Sequence, residues 1–311
     1  MDLDVAVISA TVFCDLVFTG LRAMPGPGQE VYSEGFALCA GGLGANSAIA
    51  LSRLGLKVGL ISTIGREPLG GELYAELEKE GVNVSHVRLA DDEPTAVTVS
   101  VSLPHDRCFI TYPTPSPGKR VLDCERDFEA IEHARYILAS ASDVTADQLV
   151  RIQGMGVKVA LDMGWDTTHD PRRVFDLLPF ADIFMPNESE ACCLVGTCDA
   201  RKALDELGRW VRLAVVKLGS KGAIALHDGQ FVEEHAIEVS AVDTTGAGDV
   251  FAAGLLYGCL RGWPVAKSLK LANVCGGLST QGVGGGRSAP RWEDISRVAP
   301  DLCGSQKVGR A

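Results

Sequence analysis

Asp243-Thr244-Thr245-Gly246-Ala247-Gly248-Asp249-Val250-Phe251 follows a strand-like run, His235 to Val242, and opens an apolar helix that reaches about Arg261, where Gly262-Trp263-Pro264 ends it. Gly246 to Asp249 are three small residues and then an acid, placed where that helix begins. The first turn of a helix carries backbone N–H groups with no intrahelical partner. With the positive end of the helix dipole they make an anion site, and glycine lets the backbone approach a ligand that a side chain would hold off. An acid there does not attract an anion. A carboxylate beside an anion hole is placed instead to take the proton of a hydroxyl attacking a phosphoryl group. A helix cap and a tight turn would explain a lone Gly-x-Gly-Asp, so the rest of the chain has to decide.

The 311 residues are 46% hydrophobic and 22% charged, an ordinary globular composition. A net charge of −11 argues against nucleic acid as a partner. It also means that any polyanionic nucleotide must be held locally, by backbone amides, a divalent metal and a few Lys or Arg. The ten cysteines show no C-x-x-C and no regular spacing, which fits reduced, mostly buried thiols in the cytoplasm. The chain opens on the strand-like Val5-Ala6-Val7-Ile8 without a basic leader, and no apolar run approaches membrane-spanning length. A soluble, cytoplasmic protein is expected, with no membrane partner.

Along the chain, short strands around 12–20 and 30–38 flank Pro25-Gly26-Pro27-Gly28. A helix from Ile49 to Leu54 is capped by Gly55, a strand runs Val58 to Ile64, and a second helix runs from about Leu69 to Glu80. Val97, Val99, Val101 and Leu103 alternate with Thr98, Ser100 and Ser102, turn at His105-Asp106-Arg107 and return through Cys108 to Tyr112: a hairpin with one polar face. Beyond Pro117, strands at Tyr136–Leu138, Val159–Asp162, Ile183–Met185, Ala214–Lys217 and Ala223–Leu226 alternate with helices, which predicts an α/β protein with a mostly parallel sheet. A helix from about Val265 to Leu278, a Gly-rich loop (282–286) and a C-terminal helix follow, and a tail from about Gly304 is expected to be flexible.

Four further stretches carry chemistry. Gly41-Gly42-Leu43-Gly44-Ala45-Asn46 exposes backbone amides and offers both a donor and an acceptor at a helix start, a form suited to a hydroxyl-rich ligand or, more plainly, an Asn-capped loop. Asp15 is an early acid able to bind vicinal hydroxyls or to sit in a surface turn. Pro186-Asn187-Glu188-Ser189-Glu190 lies at the carboxyl end of a strand, where open α/β sheets bind ligands; Asn187 and Glu190 also have the spacing of a capping box. Lys217-Leu218-Gly219-Ser220-Lys221-Gly222 is a Gly-rich turn between two strands. The six histidines are scattered, and Ser47, Ser140 and Ser142 belong to no nucleophile pattern. Neither a P-loop nor a G-x-G-x-x-G after the first strand is present.

The DTTGAGD run matches the signature of the ribokinase-like (PfkB) carbohydrate kinases at all seven positions, and the other stretches resemble that family's motifs in the family's order. The resemblance implies a three-layer α/β/α domain over 1–304 with a mostly parallel central sheet. It further implies a small β-sheet lid formed by about 12–38 and 95–113, leaving 305–311 as the tail. It implies transfer of the γ-phosphoryl of Mg-ATP to a hydroxyl of a small carbohydrate. Asp249 would be the base, and the backbone of Gly246, Ala247, Gly248 and Asp249 the anion hole. Asp15, Gly41, Gly42 and Asn46 would hold the acceptor, and Asn187, Lys217, Gly219, Gly222 and Asn273 the nucleotide. Glu190 would hold Mg2+ through water. Asp243, Thr245 and Ser288 would hold a monovalent cation such as K+, and the lid would pair two subunits into a homodimer. Asp162-Met163-Gly164-Trp165 departs from the Asp-Pro-Asn frequent at that strand end, and Leu43 stands where several relatives have Lys. With few basic residues near the pocket, this favours an unphosphorylated acceptor, although Arg107 in the hairpin could meet an anion. Phe109, Tyr112 and Trp165 leave a nucleoside kinase of the same fold as the alternative, and a non-catalytic sugar-binding member as a third reading.

Overall fold

The computed structural model of the protein describes residues 2–103, 107–112, 121, 122, 125–164 and 171–303. Trp165, the turn residues His105 and Asp106, and the tail lie outside these. In chain order the strands are β1 (Leu3–Ile8), β2 (Phe13–Thr19), β3 (Gly35–Gly41), β4 (Val58–Glu67), β5 (Asn83–Pro94), β6 (Ala96–Ser102) and β7 (Arg107–Tyr112). They continue with β8 (Ala134–Ser140), β9 (Lys158–Asp162), β10 (Ile183–Phe184), β11 (Leu213–Lys217), β12 (Ala223–His227) and β13 (Gln230–Glu234). The helices are α1 (Gly42–Arg53), α2 (Gly70–Lys79), α3 (Glu125–Glu132), α4 (Ala146–Gly154), α5 (Pro171–Leu177), α6 (Glu188–Val195), α7 (Ala200–Leu207), α8 (Ala247–Leu260), α9 (Val265–Ser279) and α10 (Trp292–Val298).

A nine-stranded sheet runs in the order β13-β12-β11-β10-β9-β8-β1-β4-β5. It is parallel from β11 to β5, and antiparallel only where β12 meets β11 and β13. Central strands of such a sheet are covered on both faces, so they read as continuous apolar runs. The alternation within β1 shows the two layers. Val5 and Val7 join a core with α1, α8 and α9. Ala6 and Ile8 join a second core with α4 and α7. Helix α8 is apolar on every side because it is wedged between α1, α9 and the sheet, with buried residues from Val250 to Leu260.

The second, four-stranded sheet has the order β3-β2-β6-β7. Its register puts Asp15 beside Thr98 on one face and Leu16 beside Val99 on the other. The polar face of the expected hairpin turns inward: Ser100 Oγ lies 3.4 Å from Thr245 Oγ1 in a buried contact. The apolar face turns out.

Two expectations are corrected. Residues 235–242 form no strand. Val242 N and Asp243 N both donate to Thr280 O, and Ile237 packs near Gly277, so the segment lies along α9 instead of pairing in the sheet. Of the stretch around 30–38, only the part from Gly35 is strand. Among the described residues no helix is long and apolar enough to cross a membrane.

Candidate active site

The sheet's carboxyl edge, the start of α8 and the inner face of the small sheet meet in one crevice. Gly246 caps α8 in the left-handed region (φ 69°), and a Cβ there would run into Asn46 and Gly285. The turn closes with Ala247 N donating to Thr244 O and Asp249 N to Gly246 O. Two amides of the expected anion hole are therefore engaged. Among the described residues, no acceptor meets the N–H of Gly246 or Gly248.

Asn46 locks this turn in place. Its Nδ2 donates to Asp249 Oδ2 at 2.9 Å, while its Oδ1 accepts from Gly286 N at 2.8 Å. The residue is buried in α1, so its amide cannot rotate away without orphaning both partners. Burial pushes the Asp249 carboxyl up to about 6; the Asn46 hydrogen bond and Lys217 pull it down, while Asp162 and Glu190 raise it. Asp249 is thus a weak but competent base near neutral pH.

Asp15 faces the same crevice from β2. It is 5% exposed, and no hydrogen-bond donor among the described residues reaches its carboxylate. Burial, with the charges of Asp249 and Asp243 behind it, pushes it up to about 7. Gly41 lies against this carboxylate so closely that a Cβ would overlap it, and Gly42 opens α1 beside it. A buried carboxylate without a donor calls for a ligand with hydroxyls to give.

On the other side, Asn187 caps α6: Glu190 N donates to Asn187 Oδ1 at 2.9 Å, and Asn187 N donates to Glu190 Oε2 at 2.7 Å. The capping box therefore exists, and it sets the Glu190 carboxylate at the start of α6, close enough to Lys217 and Asp249 to act on both. A single hard carboxylate of this kind suits Mg2+, which keeps several of its waters. Lys217 ends β11, and its Nζ donates to both oxygens of Asp162 at 2.6 and 2.9 Å. Burial alone would lower this ammonium, but Asp162, Glu190 and Asp249 outweigh it, so Lys217 is held above its ordinary range. Asp162, at the end of β9, is noted in the sequence only as part of an atypical strand end and is given no role there; an acid at a strand's carboxyl end is the available signal.

The remaining candidates divide. Asp243 accepts from Thr245 N and Gly284 N, each at 3.0 Å, and so ties the α8 turn to the Gly-rich loop. Ser288 Oγ donates to Val283 O at 2.8 Å. Their carboxylate and hydroxyl oxygens, with nearby carbonyls, are a donor set that fits a hard monovalent cation. Gly219 is open, with nothing within 4 Å of a built Cβ, whereas Gly222 (φ 106°) is forced by the backbone of Glu234. Asn273 gives its Nδ2 to Glu234 O and His235 O, bracing α9 against the end of β13. Arg107 donates to Thr244 Oγ1, so it buttresses the α8 turn from the small sheet. Phe109 and Tyr112 are largely exposed on β7.

Comparison with known proteins identifies the family and the fold. The chain is similar to a ribokinase of Schizosaccharomyces pombe, 27% identical over 91% of this chain and 94% of the relative. It is similar to a fructokinase of Klebsiella pneumoniae, 32% identical over 83% and 91%. Its fold superimposes on the structure of Arabidopsis thaliana ribokinase complexed with ribose and ATP, with a TM-score of 0.81, 25% identity and coverage of 96% and 99%. The sequence pattern of the pfkB family carbohydrate kinases matches residues 2–292, and the chain belongs to that family, whose members are phosphotransferases with an alcohol group as acceptor.

Proposed function

We propose that this kinase transfers the γ-phosphoryl of Mg-ATP to a hydroxyl of a neutral small carbohydrate. The observation that carries the reading is the Asp249 carboxylate, clamped by Asn46 at the start of α8 beside two unspent amides. In this reading Asp15 and Asn46 orient the acceptor, with Gly41 and Gly42 giving it room. Asp249 accepts the proton of the attacking hydroxyl on its carboxylate. The Gly246 and Gly248 amides receive the charge of the phosphoryl group, preorganised as in an oxyanion hole. The Gly219 turn and the floor braced by Asn273 take the nucleotide. Glu190 and Asn187 would hold Mg2+ through water, and the metal would supply charge neutralisation at the phosphates. A monovalent cation between Asp243, Thr245 and Ser288 would stiffen the loop that the Asn46 and Asp243 bonds already order.

The outward face of the small sheet carries Leu16, Phe18, Phe36, Val99, Ile110 and Tyr112. Phe36, Ile110 and Tyr112 are 60%, 64% and 68% exposed. Such a patch supports pairing of two copies through this sheet.

The test is ADP release from Mg-ATP over a panel of sugars, sugar acids and nucleosides, with and without K+. One neutral sugar turning over strongly, and losing that turnover in Asp249→Asn, is the expected result. Undiminished turnover in the variant would remove Asp249 as base, and a nucleoside as best substrate would replace the acceptor assignment.

A further inference from the structure

Asp162 and Lys217 close strands that are not neighbours. β9 and β11 flank β10, which is two residues long, and the ion pair spans its end. Both partners are well buried, with side-chain exposures of 4% and 13%. Asp162 Oδ1 also accepts from Met163 N at 2.8 Å, and Lys217 N donates to Pro186 O at 3.0 Å. The head of the lysine is thus held to the end of β9 and its backbone to the segment that carries Asn187 and Glu190. A buried ion pair is a poor device for stability, because desolvating two charges consumes most of their attraction. Its location gives a better reason. A Cβ built on Gly248 would lie 3.4 Å from Lys217 Nζ, so the ammonium stands against the first turn of α8. That turn carries the Gly248 N–H that no acceptor among the described residues takes. An ammonium has three N–H donors. Asp162 engages it through both oxygens, and the ammonium lies between that carboxylate and the first turn of α8.

We propose that Lys217 is the cation of the anion hole. Its ammonium, aimed by Asp162, donates to an oxygen of the phosphoryl group as that group passes from nucleotide to acceptor. Lys217 is then a catalytic residue in its own right, and Asp162 is its positioning residue. This rests on the phosphoryl-transfer reading above and supplies what that reading lacks, a positive side chain at the transferring group. Charge on that group gains most from a donor that is already oriented in a site of low dielectric. A lysine on a four-carbon stem needs an anchor to be so oriented. The same ammonium lies close enough to Asp249 to favour its ionised form.

Calorimetric binding of Mg-ADP and of Mg-AMP-PNP tests this without an acceptor. The wild type should prefer AMP-PNP, which carries the third phosphoryl group. Lys217→Met should lower that preference about tenfold or more, the scale of one hydrogen bond to a charged group, with Mg-ADP affinity little changed. Asp162→Asn keeps the ammonium and loosens its aim. With the best acceptor of the panel it should lower kcat with KM for Mg-ATP nearly constant, and Lys217→Met should lower kcat by about 10²–10³-fold. Should Lys217→Met fail to fold by circular dichroism, Lys217→Arg and Asp162→Asn carry the same comparison. Retention of the full AMP-PNP preference and kcat in folded variants would make the pair a strap between β9 and β11 and overturn the proposal, leaving the kinase reading intact. Failure of the wild type to bind either nucleotide would instead overturn the kinase reading, and this proposal with it.

Discussion

Replacing Asp249 by asparagine separates what its charge does from what its charge costs the fold. The carboxyl is pushed from an ordinary 3.8 to about 6, chiefly by burial. Each unit corresponds to about 1.4 kcal/mol, so holding Asp249 ionised at neutral pH costs the folded state about 3 kcal/mol. The surface that the side chain keeps accessible reduces this to about 2 kcal/mol through solvent screening. For an acid whose folded pKa is raised, the stabilising contribution is complete below the unfolded value near 4 and is lost as the pH climbs through about 6. Asp249→Asn removes the charge and keeps the shape, and the introduced amide oxygen can still accept from Asn46 Nδ2. The ligand-free variant should therefore be about 2 kcal/mol more stable than the wild type at pH 8. That advantage should shrink as the pH falls and be nearly gone at pH 4. Urea unfolding at pH 8, 6 and 4 measures it, while ADP release shows turnover falling by orders of magnitude. A variant less stable than the wild type at pH 8, or one whose advantage is the same at pH 8 and pH 4, would refute the burial argument.

The pH profile of kcat/KM for the acceptor should fall on the acid side between about 7 and 6, as Asp15 and then Asp249 take up protons; a profile flat down to pH 5 would count against both roles. Asn46→Ala orphans Gly286 N–H and frees Asp249, so it should cost about 1–3 kcal/mol in urea unfolding and lower kcat by roughly 10–100-fold. Ile110→Glu places a charge on the exposed apolar face of the small sheet and should convert a dimer to a monomer by light scattering, with the circular dichroism spectrum unchanged. A wild type that is already monomeric at working concentration would dismiss the paired sheet.

Much of this architecture is readable from local pattern. β1 and β11 are continuous apolar runs because both faces are covered, and α8 begins where glycines and an acid follow a loop. β5 is not so readable. It is the edge strand of the large sheet, and its Arg88, Asp91, Asp92 and Glu93 break any period that a search for buried strands would use. Ile237 mimics a strand for the opposite reason: its apolar side chain packs against α9 without any ladder, while Val242 is exposed and tied through its backbone N–H to Thr280 O. At the site, residues that act through local backbone, such as Gly246 or the Asn187–Glu190 box, are legible from spacing alone. The Asn46–Asp249 bond joins residues 203 positions apart and the Lys217–Asp162 pair joins residues 55 apart. Only the folded chain reveals such partners. The hairpin's polar face also reads backwards from sequence, since alternation does not say which face meets solvent. Here Asp15 and Ser100 face the crevice, and the apolar face is the exposed one.

That inversion bears on the acceptor. The charges of Asp249 and Asp243 add to burial in raising the cost of ionising Asp15. Lys217 pairs with Asp162 and, on the proposal above, serves the transferring phosphoryl group and not the acceptor, and Arg107 donates to Thr244. At an effective dielectric near 20, two like charges about 8 Å apart repel by about 2 kcal/mol, and a phosphate ester would bring close to two charges into this neighbourhood. A neutral polyol adds none, and its hydroxyls give Asp15 the donors that the described residues do not. Competition between a neutral sugar and its phosphate ester measures the difference directly. The neutral form should bind at least tenfold more tightly, and the gap should narrow as salt rises, because screening weakens the repulsion while leaving the hydroxyl contacts in place. A phosphate ester that binds better would mean that Arg107 leaves Thr244 to meet it, and the acceptor would then be a sugar phosphate.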